Sequence, residues 1–294
     1  MKILSGKELV GYVKERQYQE IREAMENGQR VPRLVILRDS DDPVIMKYVG
    51  LKMKYGEDIG VKVDNVLCKS VKELKSRAAE AGRNEGVDGI IVQLPIKDKK
   101  QTEYVLSKIV PEKDVDGLNE GDYDGATATA INWLMAGYGI DLAKAQIGII
   151  GRGRLIGAPL KKMWRSSGYK VWTFHKGSNF DRLKRCDVIV TGTGVPGVLR
   201  STYVKPGAFV IDAGTASEGG VIVGDVHESV REREDLGGIT PVYGGVGPLT
   251  VGALFENVIR AWKSRNDNPL VNVRGGNMKR RGPVQQRKRR HRRR

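Results

Sequence analysis

Apolar positions along this 294-residue chain fall into two successive series of alternating strand and helix patterns. In the first, Ser5 caps a predicted helix in which Leu9, Tyr12, Val13 and Ile21 recur near helical spacing and which Gly28 closes. Leu34 to Leu37 reads as a strand. Asp42-Pro43 opens a helix through Tyr48, Lys52 and Tyr55 that ends near Gly60, and Val61 to Leu67 and Val71 to Glu85 follow as strand and helix. The run Val87-Asp88-Gly89-Ile90-Ile91-Val92-Gln93-Leu94-Pro95 is apolar and β-branched, as expected of a strand covered on both faces. A carboxamide, Gln93, stands at its carboxyl end, the end that opens onto the ligand crevice in open α/β sheets. A helix over Gln101 to Ile109 and an acidic turn, Lys113-Asp114-Val115-Asp116-Gly117-Leu118, close the series.

Thr127 to Tyr138 reads as a connecting helix, after which the alternation restarts. Ile147 to Ile150 is a strand, followed by a glycine turn, a helix over Leu155 to Ser167 and a strand over Val171 to Phe174. Further strands are predicted at Val188 to Val190, Phe209 to Ile211 and Val221 to Val223. Pro241 to Pro248 is a glycine-rich loop and Leu249 to Lys263 an apolar helix. Such alternation predicts βαβ units with parallel sheets, hence an α/β protein of two domains with a cleft between them. The expected division is a catalytic domain of residues 1–125 plus 250–264, a Rossmann-type dinucleotide-binding domain of 126–249, and a disordered basic tail of 265–294.

Composition narrows the class. Hydrophobic content of 39% with 29% charged residues suits a soluble globular chain, not a membrane or disordered one. No apolar run is long enough for a membrane span and no signal pattern opens the chain, so no membrane partner and a cytoplasmic location are expected. Cys68 and Cys186 form no metal spacing, and with only His175, His227 and His291 no multi-histidine metal site is expected. The net charge of +16 is uneven. Arg274 to Arg294 holds 11 Lys/Arg and no acid, which leaves 16 − 11 = +5 for the rest. The high charge therefore belongs to a tail, either a solvated end or a segment that engages RNA or another polyanion.

Gly151-Arg152-Gly153-Arg154-Leu155-Ile156-Gly157 follows a strand and opens a helix. This G-x-G-x-x-x-G turn lets backbone amides approach a pyrophosphate where the helix dipole favours anions. The next strand ends Thr173-Phe174-His175-Lys176-Gly177 without the acid that holds an NAD ribose, while Arg152, Arg154 and Lys176 supply cations for a 2′-phosphate. NADP is the expected cofactor, with NAD the alternative. Gly151, Arg152, Gly153, Gly157, His175, Lys176 and Thr215 are the candidate cofactor-binding residues.

Five segments, in order, resemble the bifunctional methylenetetrahydrofolate dehydrogenase/methenyltetrahydrofolate cyclohydrolase family over about residues 1–264. They are Tyr48-Val49-Gly50-Leu51-Lys52, the strand Asp88 to Pro95, Lys113 to Gly117, the Gly151-Arg152 turn, and Thr240-Pro241-Val242-Tyr243-Gly244-Gly245-Val246-Gly247-Pro248-Leu249-Thr250. Tyr48 and Lys52, four apart, project from one helix face, where an aromatic ring can stack on a flat ligand that the ammonium also reaches. The resemblance implies that Lys52 is the main catalytic group, that Gln93 hydrogen-bonds and places it, and that Tyr48 both lines the substrate and assists. It further implies that Asp116 anchors the pterin and that Gly244, Gly245 and Pro248 form a close-approach loop over a tetrahydrofolate derivative. The implied chemistry is oxidation of 5,10-methylenetetrahydrofolate, then hydrolysis to 10-formyltetrahydrofolate, by a homodimer.

The chain departs from the family pattern at four places. Gly125-Ala126-Thr127-Ala128-Thr129-Ala130 keeps only the threonine of a usual Pro-Cys-Thr-Pro-x-Gly segment, Gly153 stands for a serine, Tyr243 for a proline, and Ile45 for a frequent serine. Three alternatives stand beside the bifunctional reading: an enzyme with only the dehydrogenase step, a folate-enzyme fold acting as a polyanion-binding module through its tail, and a Rossmann dehydrogenase of another substrate. The last lacks a catalytic His or Tyr-x-x-x-Lys within the nucleotide domain.

Overall fold

In the computed structural model, which describes residues 1–119, 121–218 and 221–266, two parallel sheets share one continuous core. The chain starts with β1 (Lys2–Ile3) and α1 (Gly6–Glu26), the latter capped by the Ser5 hydroxyl and closed at Gly28 with φ 77°. β2 (Arg33–Arg38), α2 (Pro43–Ile59), β3 (Lys62–Leu67), α3 (Val71–Arg83), β4 (Gly89–Val92) and α4 (Thr102–Leu106) build the first lobe around a sheet of order β3-β2-β4. α5 (Ala126–Gly137) crosses to the second lobe. There β5 (Gln146–Ile150), α6 (Gly157–Ser166), β6 (Lys170–Phe174), β7 (Val188–Thr191) and β8 (Phe209–Asp212) follow in turn. A hairpin of β9 (Ala216–Glu218) and β10 (Val221–Val223), the short α7 (Glu228–Arg231), β11 (Gly238–Ile239) and the long α8 (Val246–Asn266) complete the order.

The six-stranded sheet runs β1-β11-β8-β7-β5-β6, all pairs parallel. The chain leaves β5 toward β6 and returns to its other side as β7, so the strand order reverses beside β5, where such folds bind ligands. β4 is buried at all four positions, as its unbroken apolar run requires, in register with β2 from Leu34–Gly89 to Leu37–Val92. α8 fuses the lobes: its fully buried Phe255 stacks on Tyr55 of α2 with ring centroids 5.1 Å apart, and Trp262 is fully buried in the same core.

Several sequence expectations need correction. Lys2–Ile3 pairs with β11, so the extreme N-terminus belongs to the second sheet. Tyr12, counted in the first helix's apolar spacing, is 77% exposed. The strand around Ile91 is only Gly89–Val92, leaving Gln93 just past its end. Of the helix predicted over 101–109, Thr102–Leu106 is α-helical, because Lys108 and Ile109 turn back to Val105 and Leu106 in tighter bonds before Pro111. β10 pairs antiparallel with β9 and stands outside the parallel sheet. α8 starts at Val246, before Leu249, and runs on to Asn266, since the Arg265 guanidinium donates to the carbonyls of Val87 and Asp88. The tail expected from Arg265 therefore starts no earlier than 267, and residues 267–294 lie outside the described residues.

Candidate active site

α2 carries the first half of the site. The Asp42 carboxylate caps its start by accepting from Val44 and Ile45 N–H, Pro43 occupies the first turn, and Gly60 in the left-handed region (φ 82°) ends it. Ile45, Val49, Tyr55 and Ile59 bury one face, which leaves Tyr48 and Lys52 together on a half-buried flank. Gln93, 9% exposed, continues the β4 ladder by donating its N–H to the Leu37 carbonyl at 2.8 Å. Its Nε2 donates to the Leu94 carbonyl at 3.0 Å, which orients the amide so that Oε1 accepts from Lys52 Nζ at 2.7 Å. Helix and strand, forty-one positions apart in sequence, thus meet at one hydrogen bond.

Asp116 supplies the charge opposite Lys52. Its turn is held from below: Asn257 of α8 donates from Nδ2 to the carbonyls of Val115 (2.9 Å) and Asp124 (3.1 Å), and Gly117 takes φ 65° against Asp124, where a Cβ would lie 2.7 Å from the backbone. Burial pushes the Lys52 ammonium below its usual pKa, with the Asp116 carboxylate opposing that shift. Burial likewise pushes Asp116 above its usual value, opposed by Lys52. The two are placed to exchange stabilisation with a ligand's charges while the lysine's neutral form is brought within reach. Neighbouring Asp114, also raised chiefly by burial, accepts from Asn119 N–H at 2.8 Å and braces the turn.

Gly151 and Gly157 shape the second half. A Cβ on Gly151 (φ 112°) would stand 2.5 Å from the Gly192 carbonyl oxygen, and one on Gly157 would stand 2.2 Å from the Gly151 oxygen, so both positions exclude side chains. A Cβ on Gly153 would meet only the Gly192 oxygen, at an unstrained 3.9 Å. Ile156 provides no side-chain cap, but Ala158 N–H donates to the Gly153 carbonyl at 3.0 Å and Pro159 has no N–H, so the Gly157 N–H and the turn before it are what α6 offers an anion. Arg152, His175 and Lys176 are exposed beyond the carboxyl ends of β5 and β6, with His175 Nδ1 2.7 Å from the Lys176 carbonyl, and Thr215 is exposed beyond β8. This cradle fits a dinucleotide pyrophosphate, and the absence of an acid after β6 fits a phosphorylated ribose.

Arg154 and the glycine-rich loop make contacts the sequence did not suggest. Arg154 does not stand free for a 2′-phosphate, because its guanidinium pairs with Glu103 of α4 across the lobes. Pro248 lies within the first turn of α8, outside the loop, and Gly244 and Gly245 pack on α1: Lys7 N–H donates to Gly244, and a Cβ on Gly6 would meet the Gly245 oxygen at 2.0 Å. Sequence reasoning missed Asn257, Asp212 and Asp225, whose polar character inside apolar or loop segments was the available signal. Among the described residues no cluster of three or more His, Cys, Asp or Glu is placed to hold a metal ion.

Fold and site together define a two-lobed α/β enzyme that holds a dinucleotide on one lobe and presents a half-buried lysine and carboxylate with a buried carboxamide from the other. The first lobe matches the family model "Tetrahydrofolate dehydrogenase/cyclohydrolase, catalytic domain" over residues 4–116, and the second matches the corresponding "NAD(P)-binding domain" over 125–266. The chain belongs to the tetrahydrofolate dehydrogenase/cyclohydrolase family. It is 36% identical over 280 residues to the bifunctional protein FolD of Aquifex aeolicus, an alignment covering 90% of this chain and 96% of that protein. The solved bifunctional FolD methylenetetrahydrofolate dehydrogenase/cyclohydrolase of Campylobacter jejuni is 31% identical with a TM-score of 0.84, covering 90% and 99%. The Trypanosoma brucei FolD enzyme, solved with NADP and an inhibitor, is 27% identical with a TM-score of 0.83, covering 89% and 97%.

Proposed function

We infer that the protein oxidises 5,10-methylenetetrahydrofolate to the 5,10-methenyl form with NADP and hydrolyses that product to 10-formyltetrahydrofolate, a one-carbon donor of the kind purine biosynthesis consumes. The observation that carries this is the 2.7 Å bond from Lys52 Nζ to Gln93 Oε1 facing Asp116, in a chain of this family. At the Gly151 turn a bound NADP would supply the acceptor for the hydride of the methylene carbon. The close-packed turn from Gly151 to Gly157, with the Gly157 N–H at the start of α6, would hold its pyrophosphate. Arg152, Gly153, His175, Lys176 and Thr215 line its remaining length.

Tyr48 stacks on the flat folate and Asp116 accepts hydrogen bonds from the pterin N–H groups, which fixes the one-carbon centre over Lys52. Beside the methenyl cation the Lys52 ammonium loses its proton readily, because burial already disfavours its charge. The neutral amine then accepts a proton from the attacking water, and Gln93 keeps Nζ aimed at that water. The Gly244-Gly245 backbone, held by α1, and Pro248 in the first turn of α8 border the folate. The catalytic and nucleotide-binding parts divide near 1–125 plus 250–264 and 126–249, except that β1 joins the nucleotide-binding sheet and α8 is counted from Val246.

The protein acts as a cytoplasmic homodimer, with its arginine-rich tail available to RNA or another polyanion. Among the described residues no helix is long and apolar enough to cross a membrane. Assaying the purified chain for both steps tests the reading. NADP-dependent oxidation together with accelerated methenyl hydrolysis is expected. Oxidation without accelerated hydrolysis would support a dehydrogenase-only enzyme instead.

A further inference from the structure

We propose that Asp225 is a positioning residue for the nicotinamide half of the dinucleotide, because its buried carboxylate holds the Thr193 turn that this half must cross. The proposal rests on the dinucleotide reading given above. The strand order reverses beside β5, so a dinucleotide whose pyrophosphate lies on the Gly151 turn has one half over the end of β6 and the other over the ends of β7 and β8. The first backbone met on the β7 side is Gly192-Thr193-Gly194-Val195. It touches the pyrophosphate turn directly, since a Cβ on Gly151 would stand 2.5 Å from the Gly192 oxygen. The two turns form one floor.

Gly192 N–H still donates to the Ile150 carbonyl at 2.9 Å, and past it the floor has no regular structure to hold it. Its anchor is one carboxylate oxygen: Asp225 Oδ2 accepts from Thr193 N–H at 2.6 Å and from Thr193 Oγ1 at 2.9 Å. The same Thr193 hydroxyl accepts from Val195 N–H at 3.0 Å, which carries the restraint through the turn past Gly194 (φ 68°). Asp225 is fully buried, and its Oδ1 has no hydrogen-bond partner. A carboxylate half-satisfied in a protein interior is costly, so its presence calls for a reason beyond filling space. Asp225 also reaches the other side of the crevice edge. A Cβ on Gly214 would lie 2.0 Å from its carboxyl carbon, so the loop carrying exposed Thr215 rests on the same group.

A second acid keeps Asp225 in place. Asp212, at the end of β8, accepts from Asp225 N–H (3.0 Å), Val226 N–H (3.1 Å), Thr191 Oγ1 (3.2 Å) and Arg231 Nη2 (2.6 Å). Arg231 therefore neutralises Asp212, Asp212 orients the backbone of Asp225, and the Asp225 carboxylate sets the turn. No part of this chain of bonds includes Lys52, Gln93 or Asp116, so it bears on the hydride step and not on water attack.

The test compares Asp225→Ala, Asp225→Asn, Thr193→Val and Thr193→Ser with the parent full-length protein. Calorimetry measures NADP affinity, steady-state assays separate KM from kcat for each activity, and thermal melts monitor folding. Loss of a charge-assisted hydrogen bond predicts that Asp225→Ala and Thr193→Val weaken NADP binding or dehydrogenase kcat/KM by about tenfold or more. Methenyl hydrolysis should change far less in the same preparations, and Asp225→Asn and Thr193→Ser should recover most of what the harsher changes lose. Equal loss of both activities, loss in step with the melting temperature, or unchanged NADP affinity and dehydrogenase kinetics in Thr193→Val would overturn the proposal. A parent protein that binds NADP without oxidising the folate would defeat the functional reading alone, since calorimetry on the variants still decides the role of Asp225.

Discussion

Replacing Gln93 with glutamate puts a carboxylate where a carboxamide now accepts from Lys52, with nearly the same shape. Because the present contact is 2.7 Å, the added attraction is about 6 kcal/mol at an effective dielectric of about 20 and about 1.5 kcal/mol at that of bulk water. The crevice lies between these limits, and burial also resists ionising the new acid, so the lower figure is the safer guide. About 1.4 kcal/mol is tenfold in a protonation equilibrium. The fraction of neutral Lys52 at a given pH should therefore fall by about tenfold or more, and methenyl hydrolysis at neutral pH with it. The direction follows from the sign of the present shift: burial lowers the Lys52 pKa, so activity rises as pH rises through that lowered value. Gln93→Glu raises the value, and the rising limb of the pH profile moves to more alkaline pH. Loss of methenyl absorbance, corrected for uncatalysed hydrolysis at each pH, measures this. A limb that stays in place or moves to acid would refute the claim that Lys52 works as a neutral base.

Three further outcomes follow from the geometry. Gly157→Ala should lower NADP affinity by about tenfold or more, since its Cβ would meet the Gly151 oxygen at 2.2 Å, whereas Gly153→Ser has room and should bind NADP at least as tightly in the same titration. Asp88→Asn should destabilise the protein by about 2 to 4 kcal/mol in denaturant melts, because buried Asp88 accepts from Arg30 (2.7 and 2.6 Å) and Arg33 N–H (2.9 Å) beside Arg265, and half-exposed Arg30 can turn to water. Removing residues 267–294 should leave folate turnover unchanged and abolish salt-sensitive RNA retention in a filter-binding assay, and turnover lost with the fold intact would make the tail part of the enzyme.

Much of this architecture was legible in the chain because local signals agreed. Ser5 and Gly28 bracket α1, Asp42-Pro43 and Gly60 bracket α2, and the apolar run through Ile91 marks the buried strand β4 of the first lobe. Lys52 and Gln93 were legible as chemistry because polar groups stood at a helix face and a strand end. Their contact came from the family resemblance alone, since it depends on how α2 lies across the sheet. Two-residue strands such as β1 and β11 carry no period, and only tertiary pairing creates them. The start of α8 was obscured by glycine and proline at Gly245, Gly247 and Pro248, which read as loop although proline is accepted in a first helical turn. Arg154 illustrates the same limit: its place in the glycine turn suggested phosphate, and Glu103, fifty-one positions earlier, takes it instead. The acids Asp212 and Asp225 showed only as polar positions, and their meaning was hidden because it lies in partners scattered over several segments.

Lys52→Met provides the most direct measurement of the central claim, with both activities and NADP affinity recorded on one preparation. Methionine keeps much of the side-chain volume in the crevice and removes the amine that Gln93 holds. The account predicts methenyl hydrolysis at the uncatalysed rate with NADP affinity unchanged. Hydrolysis persisting at the parent rate would contradict it.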